Sequence, residues 1–147
     1  MVSLIKNTDI TKRTNIGGNV DVSKYAYIIR ESQMFVLEPL LGTKLYQKIE
    51  EDFKNNALTG DYEKLYNDYI VSILCYDVAC EFVLQHSFTV GNGGIFKHNP
   101  ENGTAVDKVE VDYLANKYRL KADTFIDRMV KFLGSVKLEE YTHTQEE

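Results

Sequence analysis

Between about Tyr62 and His86 the chain places apolar side chains on almost every side of a helix. Leu65, Tyr69, Ile73, Tyr76, Cys80 and Val83 track one face, and Tyr66, Ile70, Leu74, Val78 and Phe82 widen the stripe. A helix that is apolar around its girth must be covered from several directions, so it belongs at the centre of a helical fold. At 1.5 Å per residue it is roughly 37 Å long, more than the radius of a compact domain this size. One end is therefore expected to contact something beyond the core. Ser72, Asp77 and Glu81 interrupt the apolar run. No stretch reaches roughly 18 uninterrupted apolar residues, so no membrane span is expected.

Three further helices can cover such a rod. The first is expected from about Val22 to Glu38, capped by Asp21 or Ser23, with Val22, Tyr25, Ala26, Ile29, Val36 and Leu37 near one stripe. Pro39 disfavours helical geometry at Glu38, so Pro39-Leu40-Leu41-Gly42 reads as an elbow. The second runs from about Thr43, a candidate cap, to Asn55, with Leu45, Ile49 and Phe53 repeating on one face. Ala57 to Asp61 is a turn, and Asp61 is the cap expected for the long helix. The last helix spans about Lys108 to Leu133, opened by an Asp107-x-x-Glu110 capping box and closed at Gly134. Leu114, Tyr118, Ala122, Phe125, Ile126, Met129, Val130 and Leu133 form its apolar stripe.

The fold class expected is all-α: one domain over 1–147 resembling a four-helix bundle. Residues 1–20 read as an extended arm, 22–134 as the helical core and 135–147 as a polar tail. Residues 87–106 form a long loop or β-hairpin between the third and fourth helices. Within it, Gly91-Asn92-Gly93-Gly94-Ile95-Phe96-Lys97 is the candidate partner-binding segment, because long loops in compact domains are often functional.

A net charge of −5 argues against a general nucleic-acid binder, which needs a basic face to displace counterions. Charge is uneven: residues 1–24 carry +2 and residues 135–147 carry −3. Ten tyrosines suit half-wet surfaces, either around the core or at protein contacts. Met1 to Ile10 lacks the basic start and long apolar run of a signal peptide. Cys75 and Cys80 lie five apart, which turns their side chains about 140° from each other on a helix. They are badly placed to bridge and read as small core fillers.

Catalytic and cofactor constellations are lacking in the sequence, so no enzyme, no metal and no cofactor is expected. The Gly91–Gly94 stretch follows a helix, whereas a phosphate cradle follows a strand and opens a helix. His86, His98 and His143 are scattered, and no Glu-x-x-His pair exists to hold two metals in a bundle. Asp77 and Glu81, four apart, share a face of the long helix. They read as an acid/base or cation site, or more simply as carboxylates facing solvent or meeting a basic residue of a neighbour. Arg30, Arg119 and Arg128 are the candidate partners, and these five make up the interface charge candidates.

Ile28-Ile29-Arg30, leading into Phe35-Val36-Leu37-Glu38-Pro39-Leu40-Leu41-Gly42-Thr43-Lys44-Leu45-Tyr46-Gln47-Lys48-Ile49, resembles the opening of head–tail connector (adaptor or ring) proteins of tailed phages. The long third helix, the glycine loop and the closing helix are also similar, especially to those of crAss-like phages, over roughly residues 15–135. The resemblance implies a structural virion protein without enzymatic activity, made in the host cytoplasm and placed in the neck or tail region. About a dozen copies would form a homo-oligomeric ring on the portal protein. That ring would contact neighbouring ring or tail proteins and let double-stranded DNA pass non-specifically through its lumen, with no membrane involved. The alternative is a small cytoplasmic helical binding or regulatory protein, also without enzymatic activity.

Overall fold

The computed structural model describes residues 1–17, 23–86, 88–91, 94–97 and 108–141, with only the backbone described for 88–91 and 94–97. Helix α6 (Val71–His86) is the centre. Val71 through Cys75 and Asp77 through Cys80 are all buried, on every side of the helix. It is reached by α1 (Asn7–Arg13), by α2 (Ser23–Ser32) and along its length by α7 (Lys108–Ser135). Two more helices, α4 (Thr43–Lys54) and α5 (Gly60–Leu65), complete the body with the short α3 (Glu38–Leu41). Among the described residues the body is helical; β1 (Phe88–Gly91) and β2 (Gly94–Lys97) pair antiparallel beyond the end of α6.

Two of the helices are longer than their labels, because π turns join them. Gln33–Leu37 is a π turn that links α2 to α3, and Tyr66–Ile70 links α5 to α6. A π turn inserts one extra residue, which moves the following apolar positions on by one. The burial pattern records this shift: Leu37 and Leu41 are fully buried, while Val36 and Leu40 only pack partly against the core. Pro39 does not end the helix as the sequence suggests. It follows directly on the π turn, with Leu37 and Glu38 before it still in right-handed helical geometry. The chain breaks instead at Gly42, whose φ of +81° suits a residue without Cβ. Gly42 and Thr59, not Thr43 and Asp61, occupy the N-cap positions of α4 and α5. Likewise Gly134 lies inside α7, which ends at Ser135; Asp107 is outside the described residues.

Residues 1–17 differ from the extended arm read in the sequence. They form α1, and Leu4, Ile5 and Ile10 are buried in the main core. The polar signals misled because the ties are made by side chains far along the chain. Gln33 Oε1 accepts from the Leu4 N–H (2.8 Å), and Gln33 Nε2 donates to the Val2 carbonyl (2.8 Å) and the Tyr46 hydroxyl (3.0 Å). Tyr66 OH donates to the Leu4 carbonyl (2.6 Å), and Val2 N–H to Glu50 Oε2 (3.1 Å). Asn15 N–H donates to Tyr118 OH on α7 (2.9 Å). The expected polar tail is likewise held down up to residue 141. Leu138 is buried, and Tyr62 OH donates to Glu140 Oε1 (2.6 Å).

The segment Gly60–His86 is long and apolar enough to cross a membrane by length and composition, although Ser72, Asp77 and Glu81 interrupt its apolar run. In this fold 61% of its most apolar window is buried against the rest of the protein, as for the core helix of a soluble protein.

Candidate functional site

Past the main core, α6 and α7 continue together around a second, smaller cluster of Ala79, Cys80, Ala115 and Tyr118. Three of these four are small, so the two helices approach closely there. At the edge of this cluster the charged residues collect. Positions 77, 80 and 81 share one face of α6 by helical spacing, and Arg119 reaches across from α7 to all three. Its Nη1 lies 2.8 Å from Asp77 Oδ1; its Nη2 lies 3.5 Å from Cys80 Sγ and 3.4 Å from Glu81 Oε2. Ser32, the last residue of α2, donates its hydroxyl to Asp77 Oδ2 at 2.7 Å.

Both oxygens of Asp77 are thus engaged, and its side chain is only 4% exposed. Burial works against the Arg119 charge, but the hydrogen bond that Arg119 donates to Asp77 and the fields of Cys80, Asp77 and Glu81 leave its pKa above the ordinary value. Burial pushes the Cys80 thiol up, with Arg119 pulling the other way, and burial pushes the Cys75 thiol up to about 12. Both cysteines are free and buried, in keeping with core fillers. Glu81 is looser: 39% of its side chain is exposed, and it also accepts from Gln85 Nε2 at 3.3 Å. The chemistry of the cluster is that of a clamp between helices, with one open side.

The sequence singled out Asp77, Glu81 and Arg119, and the fold brings these three together within one chain. Arg30 and Arg128 are exposed on α2 and α7 and join no ion pair with them. Of the loop candidates, Gly91, Gly94, Ile95, Phe96 and Lys97 lie on the β-ladder, with Gly91 opposite Gly94 and Val90 opposite Ile95. Asn92 and Gly93 lie outside the described residues. Among the described residues no group of three metal-ligating side chains forms.

Sequence reasoning missed Ser32 and the residues around it. The first π turn buries polar Gln33 completely, yet leaves Phe35 69% and Met34 40% exposed. A signal existed: Ser32-Gln33 falls where the α-helical stripe calls for apolar residues. The open cleft beside the clamp, about 320 Å³, is lined by Glu31, Phe35, Val36, Asp77, Glu81 and Arg119 among others. A second stretch, about 530 Å³, lies on α6 and α7 between Leu84, Tyr113 and Arg119. On α7, Val109, Tyr113 and Leu120 recur at spacings that share a face, and all three are exposed.

Comparison with known proteins adds one match: residues 37–146 fit the model of DUF6712, a family of unknown function. No curated protein and no solved structure matches the chain.

Proposed function

We propose, for a chain that belongs to the DUF6712 family, a structural rather than a chemical role: a subunit of the oligomeric ring that joins portal and tail in a phage virion. The observation that carries this reading is the exposed apolar stripe Val109, Tyr113 and Leu120 on α7. It lies beside the part of the α6–α7 pair that runs on past the main core. Apolar side chains gathered on one exposed helix face mark contact surfaces. A ring needs such a surface on each copy, facing a different surface on the next.

In this role the helices over 23–41, 43–54, 60–86 and 108–135 act as a four-helix-bundle body. The segment 1–17 braces that body, and the β-ladder and its glycines project from it towards the portal or a neighbouring ring protein. The connector resemblance supplies the partners: about a dozen copies, the portal, and DNA passing through the lumen. The acidic balance of −5 suits a wall that does not grip phosphates. No catalytic step, cofactor or membrane enters.

The test is light scattering and negative-stain imaging of the protein alone and mixed with its candidate portal. A ring of about a dozen copies is expected, lost in the triple substitution Val109→Ser, Tyr113→Ser, Leu120→Ser. A protein that stays monomeric and ignores the portal would sink the reading and leave the helical binding or regulatory alternative.

A further inference from the structure

We infer that the cleft beside the Asp77–Arg119 clamp is a docking groove for a basic amphipathic helix of another protein. The inference does not depend on the ring reading; it rests on what the first π turn exposes and on the charge around it.

Along the π turn polar Gln33 is buried, while Met34 and Phe35 are left out. Gln33 has a use inside, holding the N-terminal segment. Phe35, the most exposed aromatic residue among those described, has no such use on the surface. It stands at the rim of the cleft formed by α2, its π turn and α6, which Arg119 closes from α7. Beyond Arg119 the surface continues into the stretch bordered by Leu84 and Tyr113, both also exposed. Exposed apolar side chains therefore border both the cleft and the neighbouring stretch, which share Arg119. An amphipathic helix lays its apolar face into a groove bordered in this way.

Charge selects the kind of helix. Glu31, Asp77 and Glu81 line the cleft with Arg119 as the single cation among them, and Arg119 is already bound to Asp77. Glu31 is half-buried and has no ion pair among the described residues. The excess is negative, so the occupant carries Lys or Arg beside its apolar anchors. An acidic peptide, an anionic lipid surface or nucleic acid would meet repulsion there.

The probe is a fluorescein-labelled synthetic helix of Leu and Lys, with a Leu and Glu twin as control, read by anisotropy against the full chain. The Leu–Lys helix is expected to bind and the twin not. Phe35→Ser and Glu31→Lys should each weaken binding by at least about tenfold, while Val130→Ser, exposed but outside the cleft, leaves it unchanged. Thermal unfolding by circular dichroism checks that all three variants remain folded. Equal binding of the two peptides, or equal behaviour of Phe35→Ser and Val130→Ser, overturns the inference. Light scattering decides the other occupant: self-association that Phe35→Ser abolishes would put a second copy of this chain in the groove instead.

Discussion

Ser32 and Gln33 are neighbours at the start of the first π turn, and each leads into a different polar network. Gln33 faces the N-terminal segment. It is neutral, fully buried, and spends both ends of its amide on Val2, Leu4 and Tyr46. Ser32 faces Asp77 and, through it, Arg119 and Glu81. That network is charged and sits at an edge, with more than a third of Arg119 and Glu81 in solvent. The difference teaches where specificity and where openness lie. A neutral network with every bond made can be sealed in a core, whereas a charged one is less costly where water still reaches it. The first fixes the chain to itself; the second leaves a side free.

The comparison predicts a graded set of losses. Gln33→Ala should cost the most, about 3 kcal/mol, because it strands the buried Leu4 N–H and takes one bond each from the part-buried Val2 carbonyl and the Tyr46 hydroxyl. Urea unfolding measures this, and a loss below about 1 kcal/mol would mean that the N-terminal segment is not held by Gln33.

Alkaline unfolding probes Tyr66, which ties down the same N-terminal segment, together with Cys75 and Tyr62. Tyr66 and Cys75, both raised by burial, and Tyr62, raised first by its hydrogen bond to Glu140, each reach about 12. Their ordinary values are 10.0 for tyrosine and 9.0 for cysteine, so the unfolded chain loses these protons first. Stability should be complete below pH 9.0 and fall as pH climbs from there towards about 12. Tyr66→Phe should flatten that fall in a pH series of melting temperatures; an unchanged slope would detach Tyr66 from it.

Asp77→Asn should cost less, about 1–2 kcal/mol. It removes the carboxylate under Arg119, but Arg119 is exposed enough for water to take over part of its charge. Glu81→Gln should change stability least, by under about 0.5 kcal/mol, since its contact is long and wet. If Glu81→Gln cost as much as Asp77→Asn, the clamp would be a single cooperative unit rather than a buried pair with a loose third member.

The apolar periods announced the helices of the body, and four-residue spacing placed Asp77 and Glu81 on one face. Arg119 was one of three arginines open as their partner. Nothing local separates Arg119 from Arg30 or Arg128, because the choice depends on how α7 lies along α6. The N-terminal segment was misread for a similar reason. Seven residues of α1 make a poor helix in isolation, and the bonds that secure residues 2–4 come from Gln33, Glu50 and Tyr66. Phe35 lies off the apolar stripe drawn in the sequence, but its place beside the clamp depends on how α2 and its π turn meet α6.

By itself, then, the sequence determined that a helix apolar on all sides must lie inside others, since no other arrangement removes that much apolar surface from water. It also placed the pair of carboxylates on that helix. The tertiary structure alone decided which cation meets them, which polar residue goes inside, and which aromatic stays out. Those outcomes depend on contacts between residues up to 45 apart in the chain, which no local period records.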